Sequence, residues 1–175
     1  MAGVEFTVEI DSGQIDTALA QLRKLSSDFT PLMASIGHAL VSNTRDRFRA
    51  GRDPDDHPWK ALRPDYARIK EGPSILIGLG MNGGLQDSIT SQPNNHQVAI
   101  GSSKVYAAVH QFGATIVPVK ARALVFRLAD GVVFAKKVTI PARPYLGFSD
   151  ADRVTVLATT DHFLQRVITG QPWPT

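Results

Sequence analysis

The sequence contains no cysteine. That excludes disulfides, thiolate metal sites and a cysteine nucleophile, and it fits a reducing compartment. No apolar run approaches the roughly 20 residues needed to cross a bilayer. The opening MAGVEFTVEIDSG lacks the basic start and apolar stretch of a secretory signal. The expectation is a soluble protein made in the cytoplasm, with no membrane partner. Charge of one sign is also scarce, since 19 Lys and Arg against 16 Asp and Glu leave a net +3. So small an excess is weak ground for a nucleic-acid partner. No internal repeat and no low-complexity block interrupts the chain.

What is present is a globular composition. Hydrophobic residues make up 43% of 175 residues, enough for one domain with its own core. Val4, Phe6, Val8 and Ile10 alternate with polar residues and predict a first strand. Asp11 or Ser12 is placed to cap a helix carrying Ile15, Leu19, Leu22 and Leu25. Thr30 and Pro31 make an N-cap and first-turn pair. Leu32, Met33, Ile36, Leu40 and Phe48 follow at helical spacing, with Arg45, Arg47 and Arg49 near the end and Gly51 as the stop. The first 51 residues therefore predict a strand and a helical hairpin.

Residues 52–96 are rich in loops, with Pro64 opening a short helix through Lys70. Residues 97–148 are rich in strands. Gln97 to Ile100 predicts one strand. Ala123 to Leu128 and Val132 to Ile140 predict a hairpin turning at Asp130-Gly131, with Leu124, Phe126 and Leu128 on one face. Residues 149–170 predict a helix through Val154, Leu157, Leu164, Val167 and Ile168, and residues 171–175 a tail. The predicted class is α+β in a single domain, 1–175: N-terminal strand and helical hairpin, an antiparallel or mixed β-sheet with a long β-hairpin, and a C-terminal helix packed on the sheet.

Few patterns carry chemistry. Gly78, Gly80 and Gly83 spell G-x-G-x-x-G, but Pro93 follows too soon for a crossover helix and no acid lies where a ribose would need one. Asp53, Asp55, Asp56 and His57 cluster oxygen and nitrogen ligands. They suit a weak Mg²⁺ or Ca²⁺ site or a solvated acidic turn, and the calcium-loop spacing is missing. No pair of histidines has zinc-helix spacing, and no serine sits in a nucleophile elbow. No cofactor, metal or catalytic residue is assigned. His110 is either a base or a packed histidine. Trp59 either covers the end of the helical hairpin or anchors a partner. Between residues 120 and 143 lie Lys120, Arg122, Arg127, Lys136, Lys137 and Arg143 against one acid, Asp130. This is a solvated face or a polyanion site.

The remaining motifs are particular. RFRAGRDPDDHPWKALRPDYARIK carries Phe48, Pro54, Pro58-Trp59, Leu62, Tyr66 and Lys70. Asn82 to Ile89 reads NGGLQDSI, and Val98-Ala-Ile-Gly101 comes after it. Then come Tyr106-Ala107, His110-Gln-Phe-Gly113 and Ile140-Pro-Ala-Arg-Pro-Tyr-Leu-Gly147. In order and spacing this series, spread over residues 45–150, resembles the phage virion morphogenesis or tail completion proteins. Asn82 stands where that family usually has threonine, and Asp56 where a glycine is usual. The resemblance implies a non-enzymatic structural protein of the head–tail junction. It would cap the head-proximal end of the tail, stop tube growth and dock the head connector.

The partners so implied are copies of itself in a hexameric ring, tail tube or terminator subunits, and connector or stopper proteins. Genome DNA would pass through the lumen without sequence-specific contact. The implied location is the virion neck, reached from the host cytoplasm. Candidate contact residues are Trp59, Tyr106, His110, Phe112, Arg143 and Tyr145, with Arg143 placed for a bidentate pair with an acid. Lys120, Arg122, Arg127, Lys136 and Lys137 would face the lumen or a polyanion. Two other classes stay open. One is a nucleic-acid-binding protein using the basic hairpin and the Arg45–Arg52 cluster. The other is a hydrolase built on His110 and the 53–57 acids.

Overall fold

The computed structural model describes residues 13, 16–17, 19–20, 23, 28–72, 74–78, 84–169 and 171. The predicted first strand and its following cap lie outside the described residues. Gly13, Asp16, Thr17, Leu19, Ala20 and Arg23 are helical, within the span where a first helix is predicted.

Helix α1, Thr30–Ala50, buries Leu32, Ile36, Gly37, Val41, Thr44 and Phe48 along one stripe. It begins one residue earlier than the sequence suggests. Thr30 sits in the first turn rather than capping it, and its N–H donates to the Asp28 carboxylate at 2.9 Å. Pro31 tolerates that turn because its missing N–H has no helical partner there. Gly51 ends the helix with φ 65° and donates back to the Arg47 carbonyl. Few residues other than glycine hold that left-handed conformation at low cost.

Strands β1 (Ile89–Pro93) and β2 (Val98–Ser102) form an antiparallel hairpin against α1. A Cβ on Gly37 would lie 2.8 Å from side-chain atoms of Ser91 and Val98, so the glycine sets how closely helix and hairpin approach. β1 is not apparent in the sequence, because ITSQP has no apolar alternation. Short helix α2, Pro64–Ala67, stops before the predicted Lys70, though Lys70 N–H still reaches the Tyr66 carbonyl. Helix α3 spans Ala107–Phe112.

The predicted sheet is three separate two-stranded ladders. β3 (Ala114–Ile116) pairs with β6 (Val138–Ile140), and β4 (Leu124–Leu128) with β5 (Gly131–Ala135). The Asp130-Gly131 turn is where it is expected, and Leu124, Phe126 and Leu128 share the covered face. The predicted strand from Val132 to Ile140 is broken at Lys136 and Lys137. Ala135 pairs with Leu124, the first residue of β4, so β5 runs out of partner there and the chain passes to β3.

Helix α4, Asp150–Ile168, is capped by Ser149 in a box with Asp152. The α+β class holds. Phe163 of α4 joins Leu32 and Ile36 of α1 in one apolar cluster, and Val98 of β2 packs on it with Val156 and Val167. The main support of α4 is therefore the long helix. At its start, buried Asp152 pairs with Arg47 and accepts from Asn43 Nδ2 at 2.9 Å. No helix among the described residues is long and apolar enough to cross a membrane.

Burial alone would raise the Asp152 pKa. The Ser149 N–H, Asn43, the Ser149 hydroxyl and Arg47 outweigh it and hold the carboxyl below its usual value. Asp152→Asn should therefore cost about 3 kcal/mol near neutral pH. A lowered folded pKa gives stability that is full above the unfolded value of 3.8 and is lost as pH falls through the folded one. Denaturant unfolding should show a constant gap between wild type and Asp152→Asn above that value and a shrinking gap below it.

Candidate functional site

The segment Ile140 to Gly147 organises the centre of the molecule. Pro141 and Pro144 have no N–H, so the segment cannot continue the β6 ladder. Its other polar groups are answered from outside. Arg143 N–H donates to the His110 carbonyl at 2.7 Å. Trp59 Nε1 donates to the Pro144 carbonyl at 2.8 Å. Gln111 Oε1 accepts from the N–H of Tyr145 and of Leu146, each at 3.0 Å, and its Nε2 donates to the Leu146 carbonyl at 2.8 Å. Arg47 donates to the carbonyls of Tyr145 and Gly147 at 3.3 and 3.2 Å. The arm is clamped by α1, α3 and the loop before Trp59.

That loop is built by its acids. Asp53 Oδ1 accepts from the N–H of Asp55 at 2.9 Å and of His57 at 2.8 Å. These bonds make Asp53 a turn former. Asp53, Asp55 and His57 also lie close enough together to hold an ion, but exposed acids in a turn are common without one. Asp56 has φ 64°. The position demands a left-handed backbone, and aspartate tolerates that conformation better than most residues. The loop returns Trp59 to α1, where its N–H donates to the Gly51 carbonyl at 2.8 Å. Its indole meets Phe48 edge to face at 5.4 Å, and Tyr145 meets the same ring at 5.0 Å. These three rings and Val41, Leu85, Ile89 and Ala107 form the main core.

The six expected contact residues therefore divide. Trp59, Arg143 and Tyr145 are buried, and their side chains are spent inside the chain. Tyr145 donates its hydroxyl to the Ala107 carbonyl at 3.2 Å. Arg143 pairs with no acid among the described residues. Its guanidinium donates to the carbonyls of Lys60 at 2.8 Å and Ala61 at 3.2 Å, so it secures the chain leaving Trp59. These carbonyls, rather than a carboxylate of the described residues, take its guanidinium.

Tyr106 and Phe112 face outward, Phe112 at 79% exposure. His110 lies between, half-buried, with its ring 5.9 Å from that of Tyr106 and its buried Nδ1 without a hydrogen-bond partner among the described residues. Burial first, and Arg143 second, lower its pKa. His110 and the acids 53–57 line different cavities. The arrangement that the hydrolase reading requires is therefore absent among the described residues.

Lys120, Arg122, Arg127, Lys136 and Lys137 are all exposed. Val125, Val132 and Phe134 share the outer face of the β4–β5 hairpin, at 60%, 58% and 71% exposure. The turn of this hairpin is held by Ala129 N–H on the Asp65 carbonyl and by an Arg68–Asp130 pair at 2.9 Å. Beneath it is a cleft of about 1090 Å³, whose lining includes Lys60, Arg63, Lys70, Arg127, Lys137 and Arg143 against one acid, Glu71.

The clamp residues Gln111, Arg47 and Asp152 escaped sequence reasoning. A polar residue on a six-residue helix has no periodicity to mark it, and Arg47 looks like any cation near a helix end. Ser149 with an acid three residues on is a readable capping signal for Asp152.

The framed arm and the tryptophan turn are the most particular features of the chain. The chain belongs to the phage virion morphogenesis family, whose pattern matches residues 10–165. It is 31% identical over 162 residues to the Mu-like prophage FluMu G protein 2 of Haemophilus influenzae, covering 92% of this chain and 97% of that one. It is 29% identical over 147 residues to protein G of Escherichia phage Mu, whose name places it in capsid assembly, covering 82% and 84%. No solved structure matches.

Gly113 has φ 73°, and a Cβ there would lie 2.8 Å from the Ala142 backbone nitrogen and 3.0 Å from the Ile140 carbonyl oxygen. Neither neighbour can swing away, so Gly113→Ala should cost about 2 kcal/mol in urea unfolding. A second expectation concerns acid. An unfolded histidine takes its proton near 6.5, while folded His110 resists it to lower pH. The unfolded state binds more protons in that window, so stability should fall as pH drops below 6.5. Melting scans should show that His110→Gln flattens this slope.

Proposed function

We propose that this protein acts at the head–tail junction, where copies of it form a hexameric ring on the head-proximal end of the tail. The ring ends tube growth and offers its other side to the head connector or stopper. Tail tube or terminator subunits are its partners on one side, and genome DNA passes through without sequence-specific contact. In the virion its place is the neck.

One observation carries this reading. Most of the family's particular residues build an interior frame, while two of them, Tyr106 and Phe112, are left outside. A frame of this kind fixes the orientation of an edge, which is what a ring contact or a tail contact needs. Catalysis needs converging titratable groups instead, and the frame residues converge on backbone carbonyls and amides.

The test uses isolated tails made without the protein. Purified protein added to them should give extra density at one end in negative stain. Phe112→Ser should reduce that occupancy at least about tenfold, because buried aromatic anchors dominate contacts. Its melting temperature should stay close to wild type, because the side chain is exposed. Protein that ignores tails, or binds along their length, would contradict the reading.

A further inference from the structure

The β4–β5 hairpin carries an unusual surface. Two strands alone are marginal in water, and among the described residues neither outer edge of this pair has a strand partner. Its outer face nevertheless presents Val125, Val132 and Phe134 to solvent, the last at 71% exposure. Arg127 lies on the same face by register and Lys136 and Lys137 follow directly at its end, while Arg127 and Lys137 also border the cleft beneath. No ion pair or hydrogen bond among the described residues engages these three cations. An exposed apolar patch with a polar rim is the pattern of an interaction surface.

A complementary surface occurs elsewhere on the chain. A groove of about 640 Å³ is lined by five acids, Asp46, Asp53, Asp55, Asp56 and Asp150, against two arginines, Arg47 and Arg52, around Pro54 and Phe148. Phe148 is 59% exposed. Part of this charge is already matched, since Asp46 pairs with Arg49 and Asp56 with Arg52. The side chain of Asp55 is exposed and has no ion-pair partner among the described residues. The groove and the cleft under the hairpin share no lining residue. The chain thus carries two separate surfaces, each apolar at its centre, with opposite charge at their rims.

We infer that the outer face of the β4–β5 hairpin docks into the Asp46–Asp55–Asp150 groove of a second copy of this chain. The contact is heterologous, because each copy gives its hairpin to one neighbour and its groove to the other. Repeated, such a contact closes a ring or runs on as a filament. Opposite rims would steer the encounter and penalise the wrong register. The inference deepens the ring in the proposed function by naming its two faces. It assigns the hairpin cations to a protein partner rather than to DNA.

The test needs no tails, so it can fail or succeed independently of the tail-end reading. Two variants are made, Lys136→Glu with Lys137→Glu, and Asp46→Lys with Asp55→Lys. Unfolding curves first establish that both are folded, as exposed positions should allow. Association is then followed by light scattering up to about 1 mM protein. Wild type should associate, and each variant alone should associate at least about tenfold more weakly. An equal mixture of the two should recover association, because every hairpin then meets a groove of opposite charge.

Failure of the mixture to recover would overturn the inference, as would a wild type that stays monomeric throughout. Association untouched by either variant would also overturn it. If the lysine variant instead loses only affinity for duplex DNA, the face belongs to nucleic acid. If deletion of residues 2–12 abolishes association that both charge variants retain, the contact lies elsewhere.

Discussion

Two prolines deprive the arm of a ladder, so its amides and carbonyls must be answered by side chains from other elements. Buried backbone groups left unanswered would each cost on the order of 1–3 kcal/mol. Gln111 answers three of them, Arg47 two and Trp59 one. These residues come from α3, α1 and the 52–59 loop, so satisfying the arm fixes three elements at once. Arg47 extends the clamp further. The same guanidinium pairs with Asp152, which caps α4. Long helix, arm and C-terminal helix therefore share one cation. Tyr145 completes the frame by filling the core beside Phe48.

This constraint explains where the exposed groups are. The interior consumes Trp59, Arg143 and Tyr145, the residues that look most like partner anchors in the sequence. Among the apolar groups left outside are Phe112, the hairpin face and Phe148. None of them is needed to satisfy the frame, and all stand on elements that the frame orients. A morphogenesis protein profits from that division, because contacts with neighbours can form without reorganising the core.

Sequence made the long helix and the Asp-Gly hairpin plain, because apolar spacing and turn chemistry are local signals. It placed the C-terminal helix too, but Val154, Leu157, Leu164 and Ile168 of its apolar pattern are exposed, and Phe163 is the apolar residue that the helix buries. It also made the importance of IPARPYLG and HQFG plain without revealing their use. Arg143 is the clearest example. A buried arginine suggests a carboxylate partner, and only the folded chain shows that two carbonyls after Trp59 occupy that place. β1 was hidden because a strand held by a glycine-sized approach to a helix needs no alternation of its own. The break at Lys136 was hidden because β-propensity runs on through it, and the end of the β4 partner decides. Asp56 reads as a departure from a glycine, and its positive φ shows why that position is particular.

The central claim is that a single chain, before any assembly, already holds the arm through Gln111. Hydrogen exchange on dilute, monodisperse protein tests it most directly. The amides of Tyr145 and Leu146 should be slow to exchange, and Gln111→Ala should release both while amides in the middle of α1 stay protected. Fast exchange of those two amides in the wild type, or protection that survives Gln111→Ala, would contradict it.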